Sequence, residues 1–352
     1  MDNDVGVIMK GWLINKNGTL ELKDVVYPEN VLDASDETIK IKITKSLIGI
    51  SDILRYTGEY EPTDYVLGSA GIGIAVNDYD VDSLTPICKG DRLYINPYRP
   101  CKECFHCKKG DKKTCSDLLV AGEDYDGFLK EFVDAKVSDI YPIPEAISDN
   151  EALFIETVAL SLNIIDKLNI QKGEHVIILG ADNFGIILAQ ILKYYQSIPI
   201  IIDNDKDKVE LAKECGIYYS ISKNNDLVKD ISEITGGRLA PHIVYNQDSN
   251  IPLNQAFSLA GYNAQIAISA MGKGSNIVTF APAVKKEIKL FFINTGFGNT
   301  EASINLIANK AIDLSKLPIQ NVNFNDCEAT FKKLAEDYIS GKTIDDTIVN
   351  IL

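Results

Sequence analysis

The sequence has no long hydrophobic run. No apolar stretch approaches the ~20 residues that a membrane-spanning helix requires, and the acidic segment MDNDVGVIMKGW (1–12) lacks the apolar core of a signal peptide. Positive charge is also in short supply, because 35 Lys and Arg stand against 50 Asp and Glu, a formal net charge of −15. Such a surface repels phosphate, so nucleic acid and anionic membranes are excluded as main partners.

A disulfide framework is absent as well. The chain has seven cysteines, an odd number, and four of them fall within the segment PCKECFHCKKGDKKTC (100–115). This distribution suits a reducing compartment, and we expect a cytoplasmic protein. Cys101, Cys104, Cys107 and Cys115 have the clustered spacing of a metal site. The other three cysteines lie apart from the motifs and are predicted to be core residues: Cys88, Cys215 and Cys327.

The 352 residues are enough for two domains. Up to about residue 150 the pattern is strand-like: TIKIKITKSLIGI (38–50) alternates apolar and polar side chains, and GDRLYINPY (90–98) and FLKEFVDA (128–135) are further short strands. The segment 149–168 then carries apolar residues at helical spacing, with Ser148 or Asp149 as its cap.

Strands and helices alternate after this helix. Predicted strands are HVIILG (175–180), IPIIID (198–203), HIVYN (242–246), AQIAISA (264–270) and IKLFFIN (288–294), with helices between the first four of them. Such alternation builds a parallel, doubly wound sheet, so the fold class is α/β. A helix at 301–312 and a strand at 346–352 follow.

The turn GADNFG (180–185) lies where a strand runs into a helix, the place of a dinucleotide-binding fingerprint. Gly180 and Gly185 supply its first and third glycines. Asp182 replaces the middle glycine and brings a charge of the wrong sign close to a pyrophosphate. Asp203, at the end of the next strand, is placed to bind an adenosine ribose and favours NAD over NADP. A tight turn without a nucleotide is the alternative.

Together these features resemble the zinc-containing alcohol dehydrogenase family of the medium-chain dehydrogenases/reductases. The similarity covers nearly the whole chain, and its segments occur in the family's order: GISDILR, VLGSAGIG, CKECFHCKKGDKKTC, DGFLKEF, ALFIETVAL, the nucleotide turn and IIIDNDKDKVELAKECG. The resemblance implies a GroES-like catalytic domain at 1–152 with a zinc lobe near 98–117. It also implies a Rossmann domain at 153–296 and a return to the catalytic domain at 297–352.

In the family, a cysteine lobe of this spacing binds a structural zinc. The resemblance therefore implies one structural zinc bound by Cys101, Cys104, Cys107 and Cys115. A closed tetrahedron of thiolates leaves no open position for a substrate, so this metal cannot be the catalytic one. His106, within the same segment, is expected to be a solvated residue, since four thiolates already fill the coordination shell.

The ligands of the family's catalytic zinc are missing. Gly49 stands at the position of the cysteine ligand, and the Gly-His-Glu segment has Ser69 and Ala70 in its second and third places. Leu54 stands at the position of the proton-relay histidine. Only Glu156 remains, and one carboxylate with one hydroxyl cannot hold zinc. We therefore expect no catalytic zinc.

The chemistry that remains depends on hydrogen-bond donors. Residues lining the cleft that the resemblance implies are Ser51, Asp52, Ser69 and Glu156. Ser51 matches the family's Ser/Thr that hydrogen-bonds the substrate oxygen, and Glu156 is a candidate general base. Tyr56 and Tyr60 are further donors unless they serve packing.

Two function hypotheses follow. One is an NAD(H)-linked, zinc-independent oxidoreductase that acts on a small alcohol, carbonyl or enone, with nucleotide binding weakened by Asp182. The other is a non-catalytic descendant that binds a nucleotide or a protein. The expected partners are a small-molecule substrate and further copies of the chain, since the family resemblance implies a homodimer or homotetramer.

Overall fold

The computed structural model describes residues 7–27, 38–79, 86–223, 226–246, 251–269, 278–342, 344 and 346–351. Residues 1–6, half of the segment examined for a signal peptide, lie outside these ranges. So do Ala270 and Leu352, the last residues of two predicted strands.

The regular elements of the described residues follow in chain order. The strands are β1 (Val7–Ile14), β2 (Leu20–Tyr27), β3 (Thr38–Ile48), β4 (Ala70–Ala75), β5 (Arg92–Ile95), β6 (Tyr98–Arg99), β7 (Leu119–Val120), β8 (Phe132–Lys136), β9 (Ile140–Pro142), β10 (His175–Leu179), β11 (Ile198–Asp203), β12 (Tyr219–Ser222), β13 (Ala240–Tyr245), β14 (Ala260–Ile268), β15 (Lys289–Phe292), β16 (Ile319–Asn323) and β17 (Asp346–Asn350). The helices are α1 (Ile50–Tyr56), α2 (Phe105–Lys108), α3 (Asp149–Ala152), α4 (Ile155–Lys167), α5 (Asn183–Tyr194), α6 (Lys206–Glu214), α7 (Leu227–Ile234), α8 (Leu253–Leu259), α9 (Ala281–Lys285), α10 (Thr300–Ala308) and α11 (Cys327–Ile339).

The chain divides into two compact units. The first contains Met1–Phe154 and Pro318–Leu352, and the second contains Ile155–Leu317. The first division lies two residues from the predicted 152/153 boundary. The second lies after Leu317, whereas the sequence prediction set it after residue 296.

The segment 297–317 joins the second unit because its side chains bond to that unit's helices. The Asn299 amide donates to the carbonyl of Ala159 on α4 (3.3 Å). Gln190 on α5 donates to the Asp313 carbonyl (2.9 Å) and accepts the Asp313 N–H (2.6 Å). These bonds fix the chain against α4 and α5 before it returns to the first unit.

The second unit is built on a parallel sheet of six strands in the order β12-β11-β10-β13-β14-β15. Its central strands, β10 and β11, are almost continuous runs of buried Ile, Leu and Val, as expected where helices cover both faces of a sheet. The order reverses at β10, which is the arrangement of a doubly wound fold. The predicted α/β class with a parallel, doubly wound sheet is confirmed.

The first unit contains a seven-stranded sheet in the order β16-β17-β3-β4-β5-β9, with β8 also paired to β3. Strand β3 alternates buried and partly exposed residues over its first six positions, the period of a strand with one face on the core. It pairs antiparallel with β4 along one edge and with β8 and then β17 along the other. Most of this unit's sheet is therefore organised around one long strand.

Trp12 links the two ends of the chain within the first unit. Its indole N–H donates to the carbonyl of Phe324 (2.8 Å), and the two rings meet edge to face at 6.4 Å. Both side chains belong to a buried apolar cluster with Phe331 and Val349. The tryptophan is thus a local reporter of this core.

The predicted helix at 149–168 is two helices, α3 and α4, separated by the buried Leu153 and Phe154. Ser148 is the cap: its hydroxyl accepts the Glu151 N–H (3.3 Å), while the Glu151 carboxylate accepts the Ser148 N–H (2.8 Å). This reciprocal pair is a capping box. The cap prediction at Ser148 is confirmed.

Among the described residues, no helix is both long enough and apolar enough to cross a membrane.

Candidate functional site

The four clustered cysteines meet in space. The sulfur atoms of Cys101, Cys104, Cys107 and Cys115 all lie within 4.8 Å of one another. Cys101 Sγ is 3.5 Å from Cys115 Sγ and 4.0 Å from Cys107 Sγ. A tetrahedral zinc with bonds of about 2.3 Å places its sulfurs roughly 3.8 Å apart. In the described part of the chain, this is the one group of three or more His, Cys, Asp or Glu side chains close enough to share an ion.

Backbone amides around the cluster point at its sulfurs. Cys101 Sγ accepts the Cys104 N–H (3.3 Å), and Cys104 Sγ accepts the Cys107 N–H (3.5 Å) at the start of α2. The N–H of Cys107 and then that of Ser116 lower the pKa of the Cys104 thiol to about 5. This low pKa favours a thiolate at Cys104, the form that binds metal, whereas burial raises the pKa of the Cys107 thiol to about 12, so Cys107 gives up its proton on binding the metal. The four-thiolate set fits a zinc ion.

The three remaining cysteines differ in burial. Cys327 is fully buried, which confirms its prediction as a core residue, and Cys215 is half-buried. The same prediction for Cys88 is wrong, because its side chain is exposed. Cys88 lies in a turn: its backbone N–H bonds to the Asp91 carboxylate (2.7 Å), and its carbonyl accepts the Asp91 N–H (3.0 Å). His106 is exposed as expected, on α2.

The place of the missing cysteine ligand is filled. Gly49 caps α1, and a Cβ built on it would lie 2.6 Å from the hydroxyl of Ser69. That distance is shorter than any normal contact, so a side chain at Gly49 requires Ser69 to move. Two of the positions where the family has zinc ligands therefore pack against each other.

Asp52 ties Gly49 to Gly68, the residue that precedes Ser69. One of its carboxylate oxygens accepts the Gly49 N–H (2.8 Å) and the other accepts the Gly68 N–H (3.1 Å). The residue is 1% exposed. Burial raises the pKa of Asp52 to about 6, against the lowering effect of the two N–H bonds. Asp52 is a structural carboxylate that stays close to its titration point at neutral pH.

Ser51 lies on the first turn of α1, beside Asp52, and is half-buried. Its carbonyl oxygen accepts a hydrogen bond from the Arg55 guanidinium (3.3 Å). Arg55 is buried, approaches the Glu123 carboxylate at 3.5 Å and lies 5.6 Å from the ring centre of Tyr60. Burial and then Glu123 raise the pKa of Tyr60, so its phenol keeps its proton at neutral pH.

Tyr56 is partly buried and packs against the core. Its ring lies 5.7 Å from that of Phe331, a buried member of the apolar cluster of the first unit. Of the two tyrosines considered as donors, Tyr60 is the one beside charged groups. Tyr56 therefore serves packing, which is the alternative that the sequence left open for both tyrosines.

In the second unit, the turn between β10 and α5 requires its two glycines. Gly180 has φ +122°, a conformation that side-chain-bearing residues rarely adopt. A Cβ on Gly185 would lie 2.0 Å from the Gly180 carbonyl oxygen. The backbone is thus as tight as a dinucleotide-binding turn demands.

Asp182 is the N-cap of α5. Its Oδ1 accepts the Gly185 N–H (2.8 Å), and its Oδ2 accepts the side-chain amide of Asn246 (2.5 Å). Burial raises the pKa of Asp182, and the Gly185 N–H opposes that rise. Two donors of the chain therefore hold the Asp182 charge in place, although in the sequence this charge has no evident partner.

Asp203 ends β11 beside the same turn. Its Oδ2 accepts the Ala181 N–H (2.7 Å) and its Oδ1 accepts the Asp205 N–H (2.9 Å). The residue is 4% exposed. The structure thus brings Gly180, Gly185 and Asp203 together, with Asp203 also tying the turn to the neighbouring strand.

Glu156 lies on the first turn of α4, in the second unit, whereas Ser51 is in the first. Its Oε1 accepts the Gly296 N–H (2.9 Å). A Cβ on Gly296 would lie 2.2 Å from the backbone N of Leu160. This carboxylate therefore holds a chain segment that packs directly on the α4 backbone.

Sequence reasoning missed Asn246 and Arg55. Asn246 directly follows β13, which neighbours β10 in the sheet, and the carboxyl ends of adjacent parallel strands meet at one edge. That rule could have placed it beside Asp182. No local pattern signals the Arg55–Glu123 pair, whose members are 68 positions apart in sequence.

A parallel, doubly wound unit with a glycine-rich turn, together with a β-rich unit carrying a four-thiolate lobe, defines a dehydrogenase of two domains. Two family models agree: the alcohol dehydrogenase GroES-like domain matches residues 35–145, and the zinc-binding dehydrogenase model matches residues 184–309. The chain belongs to the zinc-containing alcohol dehydrogenase family of the medium-chain dehydrogenases/reductases, a family of oxidoreductases.

Individual relatives are distant but extensive. A zinc-type alcohol dehydrogenase-like protein of Haemophilus influenzae is 25% identical and covers 93% of this chain and 95% of its own length. A sorbitol dehydrogenase of Halalkalibacterium halodurans is 28% identical over 72% of this chain and 75% of its own. The solved structure of an Escherichia coli alcohol dehydrogenase (rspB) with NADH matches with a TM-score of 0.82 at 23% identity, covering 98% of this chain and 100% of that one. The last similarity concerns the fold.

Proposed function

We propose that this protein is an NAD(H)-linked oxidoreductase that acts on a small alcohol, carbonyl or enone without a catalytic zinc. The observation that carries the proposal is the packing of Ser69 against Gly49. Asp52 fixes that packing through both its oxygens. A thiolate at this place would require the Ser69 side chain to move, and glycine, serine and alanine supply no set of zinc ligands.

One zinc in a structural role is part of the proposal. Cys101, Cys104, Cys107 and Cys115 would hold it, with sulfur spacings that match a tetrahedron. Four thiolates leave no open coordination position, so the ion would stabilise its lobe and would not meet substrate.

The second unit's turn fits a dinucleotide in its backbone, with one departure. Gly180, Gly185 and Asp203 would hold the dinucleotide, whereas the Asp182 carboxylate stands among the donors that a phosphate uses. When bound, the nicotinamide supplies or accepts a hydride. The protein's own residues would therefore have to accommodate the Asp182 charge when a dinucleotide binds.

The protein's own groups would stabilise charge that develops on the substrate oxygen. Ser51 is the proposed donor, because it lies half-buried on the first turn of α1 and corresponds to the family's Ser/Thr. Tyr60 is a second donor that keeps its proton at neutral pH. Such hydrogen bonds are far weaker than a divalent cation close to the oxygen.

This weakness shapes the expected substrates. One relative is named for sorbitol, a saturated polyol, and oxidation of a saturated alcohol passes through an alkoxide-like species. Without a metal to stabilise that charge, saturated alcohols should be poor substrates here. Activated aldehydes, ketones and enones should be better, because they accept hydride with less assistance.

The test is oxidation of NADH over a panel of aldehydes, ketones and enones. Ser51→Ala should lower turnover while leaving NADH affinity nearly unchanged, because the hydroxyl acts mainly on charge in the transition state. Ser138→Ala removes an exposed hydroxyl elsewhere in the first unit and is the matched control. The assay is repeated with a mild chelator that spares the cysteine-bound zinc. If activity disappears with the chelator and returns with added zinc, the metal-free mechanism is wrong.

A non-catalytic descendant is the second candidate, and the capped turn favours it. The Gly185 and Ala181 N–H groups already bond to carboxylates of the chain. A protein in which neither NADH nor any panel substrate has an effect would match this candidate.

The state of assembly and the compartment complete the proposal. We propose a homodimer or homotetramer on the family resemblance, to be checked by light scattering during size-exclusion chromatography. The seven free thiols support a reducing, cytoplasmic compartment.

A further inference from the structure

The turn between β10 and α5 already contains an anion. The Asp182 carboxylate occupies the N-terminus of α5 and bonds to the Gly185 N–H (2.8 Å) and to Asn246 (2.5 Å). A pyrophosphate at such a turn uses the same helix end and its backbone donors. Asp182 and a bound pyrophosphate therefore compete for the same positive potential.

The charges facing Asp182 do not offset this competition. Asp203, at the end of β11, adds a second carboxylate beside the turn, and it holds the Ala181 N–H. Lys208, on α6, contributes one positive charge, and Asn246 at the end of β13 is neutral. A pyrophosphate brings two further negative charges to a place whose titratable side chains already sum to one negative charge.

We infer that dinucleotide binding at this turn, on which the proposed function rests, requires Asp182 to take up one proton from solvent. The protonated carboxyl keeps one oxygen for the Gly185 N–H and gains an O–H that donates to a phosphate oxygen. Burial already raises the pKa of Asp182 in the free protein, in the direction that favours the neutral carboxyl. Nucleotide affinity is thus coupled to pH by a residue of the turn.

The sign of the coupling follows from linkage. Binding raises the pKa of Asp182 further, so affinity falls with rising pH between its free and bound values, by up to about tenfold for each pH unit. At a pH below the pKa of Asp182 in the free protein, nucleotide affinity is constant, because Asp182 is already neutral. Asp182→Asn should remove the dependence and bind more tightly at alkaline pH, by tenfold or more on the same scale.

The experiment titrates ADP-ribose into the full-length protein by calorimetry, at about pH 6.5, 7.5 and 8.5, in two buffers of different ionisation enthalpy. ADP-ribose carries the pyrophosphate, lacks the nicotinamide and has no group that titrates in this range. We expect uptake of about one proton per ligand by the wild type and close to none by Asp182→Asn. Adenosine, without the pyrophosphate, should bind with no proton uptake.

One further measurement and one further variant serve as controls. Asp182→Asn keeps a residue that caps helices well, and circular dichroism checks that α5 and its unit still fold. Asp313→Asn removes another carboxylate of the second unit that accepts a backbone N–H, that of Ser315. This control should keep the wild-type pH dependence and proton uptake.

The outcomes separate this inference from the proposed function. Wild-type binding without proton uptake overturns the inference and leaves NAD(H) linkage intact. Weaker binding by Asp182→Asn than by the wild type also overturns it, because the carboxylate then assists the ligand. If neither protein binds ADP-ribose or NADH at any pH, both the inference and the nucleotide-linked function fail.

Discussion

Replacement of Asp52 by asparagine should change the stability of the first unit in a pH-dependent way. Asp52 is 1% exposed and accepts two backbone N–H groups, from Gly49 and Gly68. Burial raises its pKa from the ordinary 3.8 to about 6. The folded state therefore holds a proton on Asp52 over a range in which the unfolded state has lost it. The stability that this residue contributes is present at low pH and is lost as the pH rises through about 6.

The size of the effect follows from that pair of pKa values. At about 1.4 kcal/mol for each pH unit, the difference between 3.8 and about 6 corresponds to roughly 3 kcal/mol of unfolding free energy. About 2 kcal/mol of it falls between about pH 4.5 and pH 8. Asparagine does not titrate, so it makes no pH-dependent contribution to the free energy of unfolding. Its NH₂ group faces one of the two backbone N–H donors, which lowers the free energy of unfolding by about 1–3 kcal/mol at every pH. Asp52→Asn should thus be clearly destabilising in acid and close to neutral above pH 7.

The assay is urea unfolding followed by tryptophan fluorescence at several pH values. Trp12 is the only tryptophan of the chain and lies buried in the core of the unit that contains Asp52. Asp64→Asn, which removes an exposed carboxylate of the same unit, is the control and should show a constant difference from wild type. A stability difference between Asp52→Asn and wild type that does not vary with pH would refute the reasoning.

Two further predictions concern the metal lobe and the glycine turn. Cys104→Ser should lower the zinc content from one ion per chain toward none and reduce the thermal stability of the first unit, because structural zinc contributes folding free energy directly. Elemental analysis measures the zinc content, and a melting curve followed by Trp12 fluorescence measures the stability. Two zincs per chain in the wild type would contradict the single-site assignment. Gly185→Ala should destabilise the second unit by more than about 2 kcal/mol, because the new Cβ would lie 2.0 Å from the Gly180 oxygen. Circular dichroism during urea unfolding measures this cost. An unfolding transition of the variant at the same urea concentration as that of the wild type would show that the turn can open without strain.

Features that depend on chain neighbours could be predicted from the sequence. The buried runs of β10 and β11 and the alternation in β3 carry their own period, so the strands follow from local patterns. The zinc lobe is equally local, because its four cysteines fall within fifteen residues. The resemblance to a known family then supplied the order of the domains.

Features that depend on partners brought together by the fold could not be predicted. The Asp182 charge looks uncompensated in the sequence, because its partner Asn246 is 64 positions away. The contact between Gly49 and Ser69, separated by 20 positions, closes the place of the missing ligand, and composition alone does not show that it is closed. Side-chain hydrogen bonds of this kind follow from strand order, and strand order follows from the whole chain.

The pairing of β17 with β3 has a consequence for how the protein is made. Thr347 lies opposite Ile48, so 299 positions of chain separate the two partners, and the entire second unit is encoded between them. At roughly 5–20 residues per second, a ribosome needs about 15–60 s to pass from one to the other. During that time the second unit can complete its own sheet. The part of the β3 edge that pairs with β17 stays unpaired until β17 is synthesised. An unpaired edge invites other strands, so the early part of the nascent chain depends on chaperones or on rapid elongation until its last strand emerges.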